Sequence, residues 1–97
     1  MNVKEETNIK NEIRIALIKY MFDFEIPIGQ IPDVIYHDNT EKADAYVLIR
    51  DSIHIKNVQK LTERTIDGYR IIPTFIHPCT YEDHDYVKID FDIKKVA

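Results

Sequence analysis

An Asp-Gly pair at positions 67 and 68 constrains the fold of this chain more than any other feature. It stands between two stretches rich in Thr, Ile, Tyr and Phe, within residues 58–76. Both loop residues of a type I′ turn need positive φ, which Asp tolerates and Gly adopts freely. The flanking residues suit a pleated surface. The segment therefore reads as a β-hairpin, and the chain as a sheet protein rather than a helical bundle. With the loop at 67–68, Ile66 faces Tyr69 and Thr65 faces Arg70. Strict alternation then puts Tyr69, Ile71, Pro73 and Phe75 on one face, and Ile72 and Ile76 on the other with Leu61.

Residues 8–24 carry the helical pattern. Ile9, Ile13, Ala16, Leu17, Tyr20, Met21 and Phe24 recur at spacings of three and four, giving one apolar stripe. Thr7 or Asn8 is the expected N-cap, and Glu5, Glu6 and Glu12 suit the positive end of the helix dipole. Pro27, Gly29 and Pro32 mark a loop. Residues 34–36 read as a short strand, and 45–49 as a central strand covered on both faces. Residues 51–59 are ambiguous. Ser52 could cap a helix carrying Ile55, Val58 and Leu61, but the alternation of residues 53–56 favours a strand. The hairpin's second strand is expected to end at residues 77–79. From Tyr86, the residues Val87, Ile89, Phe91 and Ile93 alternate with Lys88, Asp90, Asp92 and Lys94. One helix followed by four or five mostly antiparallel strands predicts a single α+β domain over residues 1–97.

The sequence excludes some functions and weakens others. The net charge of −4 offers no basic run for sequence-independent nucleic-acid binding. One cysteine, Cys79, forbids an internal disulfide and favours an intracellular setting. No apolar run reaches the length of a membrane span, and residues 1–10 lack a signal-peptide core, so neither membrane nor secretion is expected. His77, Cys79 and His84, near Asp83 and Asp85, are metal-ligand types. Their spacing matches no common zinc site, so no metal is expected. A Cys79 nucleophile would need a base from His37, His54, His77 or His84, and no signature supports one. The pairs Asp83/Asp85 and Asp90/Asp92 could share acid–base work only if burial split their pKa values. Gly29 and Gly68 are isolated, so no phosphate loop is present. The expectation is a protein without catalytic residues or cofactor.

Two features point to protein contacts instead. Ile15, Ile18 and Phe22 fall off the main helical stripe, and Tyr69, Ile71 and Phe75 add apolar surface on the hairpin. Together they exceed what one short core needs and are the expected interface. Glu82, Asp83, Asp85, Asp90 and Asp92 form the densest charge cluster, an expected acidic surface.

The order of elements resembles that of phage tail-terminator and tail-completion proteins, the small neck proteins of long-tailed phages. The matching features are the helix at 8–24, the strand Val34-Ile35-Tyr36-His37-Asp38, the strand Ala45-Tyr46-Val47-Leu48-Ile49, the hairpin at 61–76, and the acidic loop with alternating strand at 82–93. Family members usually carry a second helix before the last strand. Residues 78–85 are too short and polar for one. The resemblance implies a non-enzymatic ring subunit, a homo-oligomer that caps the tail tube and meets other protein subunits, located in the virion or host cytoplasm. The alternative is a small acidic inhibitor, of the anti-defence or immunity type, that binds one protein through the 82–92 surface. A small enzyme is the third reading.

Overall fold

The computed structural model describes residues 2–38, 40–50 and 55–96. Helix α1 spans Val3–Asp23. It begins earlier than the stripe predicts. Asn2 is the N-cap, its Oδ1 accepting from the Glu5 N–H at 2.8 Å. That bond satisfies an orphan donor of the first turn, so Thr7 and Asn8 lie inside the helix. Ile13, Ala16, Leu17, Tyr20 and Met21 form its buried face. At the far end, the Phe24 N–H donates to Met21 O, and Glu25 turns the chain at φ 61°.

Among the described residues there are five strands, β1 (Asp33–His37), β2 (Lys42–Arg50), β3 (Arg64–Ile66), β4 (Tyr69–Tyr81) and β5 (His84–Lys95). They form one sheet in the order β1-β2-β5-β4-β3, every neighbouring pair antiparallel. With α1 on one face, the protein is α+β. Asp67 and Gly68 take φ 54° and 82°, and Ile66 pairs with Tyr69 and Thr65 with Arg70, as the Asp-Gly signal predicts. Residues 55–58 form a short helical turn, α2 (Ile55–Val58), where the alternation favoured a strand. Val58 explains the difference, because the turn drops its side chain into the core. Ser52 and the rest of residues 51–54 lie outside the described residues.

β4 also continues past Pro78 to Tyr81 and returns through a second two-residue turn. Glu82 and Asp83 both take positive φ there, 49° and 63°. The segment read as an acidic loop is thus a hairpin tip. Prolines 73 and 78 are tolerated because β3 reaches only as far as Ile71, so among the described residues the outer side of β4 beyond it has no strand partner.

The core lies between α1 and one face of the sheet. It receives Ala43, Ala45, Val47 and Ile49 from β2, Ile89, Phe91 and Ile93 from β5, and Tyr69 and Ile71 from β4. The Tyr20 ring meets Phe91 edge-on at 5.4 Å, and its hydroxyl donates to Thr62 O at 2.8 Å. That bond satisfies the one polar atom of a fully buried ring. Among the described residues, no second helix layer packs on the opposite face. Tyr46 and Leu48 of β2 lie there half-buried, so β2 is covered on one face rather than two.

A bulge in β4 decides which hairpin residues face α1. Register shifts between Pro73 and Phe75, and the Thr74 hydroxyl donates to Asp90 O at 3.1 Å. One extra residue reverses the inward–outward alternation beyond it. Phe75 pairs with Asp90 and joins the open face, opposite to the side that strict alternation gave it. Ile72 stays on the open face, while Ile76 passes to the helix side.

Candidate interaction surfaces

The residues expected at an interface divide into two groups. Tyr69 and Ile71 are 3% and 0% exposed, so the chain's own core consumes them. The Tyr69 hydroxyl donates to Glu12 Oε2 at 2.7 Å. Burial first, and this bond second, push its pKa upward. Ile15 and Phe22 are 53% and 61% exposed on the outer side of α1, with Ile18 half-buried beside them. Seven residues separate Ile15 from Phe22, which places them on one line along the helix. Phe75 is 60% exposed on the open sheet face, its ring 5.0 Å from that of His77.

The open face is built in rungs across the strands. Asp33, Tyr46, Asp90 and Phe75 form one rung, and Ile35, Asp44, Asp92 and Ile72 the next. The third is basic throughout: His37, Lys42, Lys94 and Arg70. These cations are scattered through the sequence, so only the register reveals their alignment. The alternation in β5 gave Lys94 its face, but not its neighbours.

Polar side chains pair across the face. His37 Nε2 lies 2.9 Å from Asp44 Oδ2, Lys88 Nζ 3.7 Å from Asp90 Oδ1, and Arg70 pairs with Glu63. His77 Nε2 is shut off from solvent and lies 3.4 Å from Asp90 Oδ2. Lys88 also stacks on the Tyr46 ring at 4.5 Å. Hydrogen bonding to Asp33, and then burial, raise the Tyr46 pKa. A shallow depression of about 320 Å³ is bounded here by Asp33, Tyr46, Lys88, Asp90 and Asp92.

The acidic cluster is split by the fold. Glu82, Asp83 and Asp85 lie at the exposed tip of the β4–β5 hairpin, whereas Asp90 and Asp92 sit on the open face among lysines. His77 and Cys79 do share the open face, as i and i+2 on one strand. His84 instead turns its Nδ1 to Arg50 Nη2 at 3.1 Å. Among the described residues, no three His, Cys, Asp or Glu side chains converge as metal ligands. Also among them, no hydrogen bond joins Cys79 to a histidine, and no helix is long and apolar enough to cross a membrane. His54 lies outside the described residues.

Comparison of the chain with family models, curated proteins and solved structures returns no match.

Proposed function

We propose that this protein is a non-enzymatic structural subunit that works by protein–protein contact, assembling as a ring in a phage tail or neck. One observation carries the contact reading. The core beneath α1 is closed, yet Phe22, Ile15 and Phe75 remain more than half exposed on two opposite sides of the molecule. A ring subunit needs two different surfaces, since a head-to-tail contact joins unlike patches on successive copies. The outer side of α1 and the open sheet face are two such patches. The step from contact protein to phage ring rests on the resemblance in element order.

Mass photometry of the pure protein tests this reading. A ring gives a single species at an integral multiple of 11.5 kDa. Phe22→Glu and Phe75→Asp, one on each patch, should each disperse it while circular dichroism stays unchanged. A wild-type protein that stays a monomer at all concentrations removes the ring.

The hairpin tip favours the second reading, an acidic inhibitor of one protein partner. Glu82, Asp83 and Asp85 are exposed together on a narrow projection, a shape suited to entering a basic cleft. Such a protein remains monomeric, and its complex weakens steeply with salt.

A further inference from the structure

We propose that the outer edge of β1 is a self-complementary strand edge, through which two copies join into one continuous ten-stranded sheet. The argument begins with the contrast between the two sides of the sheet. Unpaired strand edges invite pairing, and proteins suppress it with prolines and bulges. A two-residue hairpin closes on a hydrogen-bonded pair, so Ile66↔Tyr69 and Tyr81↔His84 set the alternation in β4. Counting from those pairs, Pro73 and Pro78 both turn their nitrogens to the free side. That edge lacks donors at two positions and is bent by the bulge at Thr74. It is closed to strand addition.

β1 carries no such device. Its register with β2 is unbroken from Asp33 to His37, and no proline or lysine lies between them. The same alternation, carried through β5 and β2, makes Asp33↔Tyr46, Ile35↔Asp44 and His37↔Lys42 the hydrogen-bonded pairs. The Lys95 N–H to Glu41 O bond fits that phase. Val34 and Tyr36 therefore aim their N–H and C=O groups outward. Among the described residues, no strand receives them. Ile31 and Ile35 are exposed beside this edge, Ile35 at 57% on the open face.

The occupant that fits is a second copy. Antiparallel pairing about a two-fold axis at Ile35 sets Val34 of each copy against Tyr36 of the other, making four main-chain hydrogen bonds. Ile35 meets Ile35 of the second copy at a non-hydrogen-bonded position, where side chains approach most closely. Asp33 then lies opposite His37 of the second copy, at both ends of the pairing. The edge reads acid, apolar, histidine on its open face, and is its own complement. The contact is isologous and closes at two copies, so it does not rest on the ring reading.

The test uses the full chain in sedimentation velocity. At about 100 µM wild type should sediment at twice the mass of its Ile35 charge variants, whether those are single chains of 11.5 kDa or rings. Ile35→Lys and Ile35→Glu should each raise the dimer dissociation constant at least ~10-fold by facing like charges across the axis. An equimolar mixture of the two should restore it. A second variant guards against misfolding. Ile35→Cys in a Cys79→Ser background should oxidise readily to a covalent dimer, because the two positions lie within disulfide reach. Val3→Cys in that background should not. A wild-type monomer at that concentration, charge variants that associate like wild type, or a mixture no better than its components overturns the proposal. A larger assembly whose size ignores the Ile35 variants also overturns it, and leaves the ring reading standing.

Discussion

Residues 69–73 of β4 and residues 75–81 of the same strand have different surroundings. The first segment lies under α1, where Tyr69 and Ile71 are buried and three side-chain links tie the hairpin base to the helix. Those links are Tyr69 to Glu12 at 2.7 Å, Lys19 to Asp67 at 2.7 Å, and Arg64 to Asp23 at 3.7 Å. Beyond the bulge, among the described residues, the strand pairs with β5 alone, and Phe75, Ile76 and Tyr81 stand exposed. Apolar residues along one strand can therefore hold the fold together in one half and stand exposed in the other. The bulge at Thr74 separates the buried half from the exposed one.

Truncation should separate them most sharply. Ile71→Ala removes a fully buried side chain and should cost about 2–5 kcal/mol in denaturant unfolding. Phe75→Ala should change stability by less than about 0.5 kcal/mol. Equal losses would erase the distinction between the halves. Deleting Thr74 is the next largest test. It forces the distal half either to lose register with β5 or to turn Phe75 toward α1, and should cost roughly 1–3 kcal/mol. A deletion variant as stable as wild type would show that the bulge sets nothing.

Gly68→Val probes the turn below both halves. Gly68 sits at φ 82° with no atom closer than 3.9 Å to an added Cβ, so the penalty is conformational rather than steric. About 1 kcal/mol or more should be lost, since a β-branched residue resists positive φ. The smallest effect depends on pH. Tyr20 and Tyr69 have pKa values raised above the ordinary 10.0, chiefly by burial. Their hydroxyls stay protonated in the fold after the unfolded chain has released its protons. The stability they contribute is full below pH about 10 and falls as pH climbs above it. Tyr69→Phe should flatten part of that alkaline decline when unfolding free energy is followed against pH.

Local chemistry made much of the fold readable. Asp67-Gly68 predicted the turn with its pairing, the helical stripe predicted the buried face of α1, and the alternation after Tyr86 predicted both faces of β5. The misreadings share one cause, in that tertiary context chose among locally acceptable options. The bulge at Thr74 has no sequence signature, so strict alternation carried Phe75 to the wrong face. Glu82-Asp83 lacks the glycine that announces a tight turn, so the tip read as a loop. Val58 gained more by burial in a helical turn than by alternating in a strand. The basic rung was invisible for a different reason. His37, Lys42, Arg70 and Lys94 become neighbours only through the strand order β1-β2-β5-β4. Of the residues expected at the interface, Ile15, Phe22 and Phe75 are exposed, whereas Tyr69 and Ile71 could be assigned to the core only once the coverage by α1 was known.

Amide hydrogen exchange on wild-type protein, followed as concentration rises, bears most directly on the division of β4 into a core half and a contact half. The amides of residues 69–72 should exchange slowly and at the same rate at every concentration, because α1, β3 and β5 protect them within one chain. Residues 75–81 should exchange faster in dilute solution and slow down as copies associate. Distal amides whose protection is the same at every concentration while an assembly dispersed by Phe75→Asp forms would contradict the account.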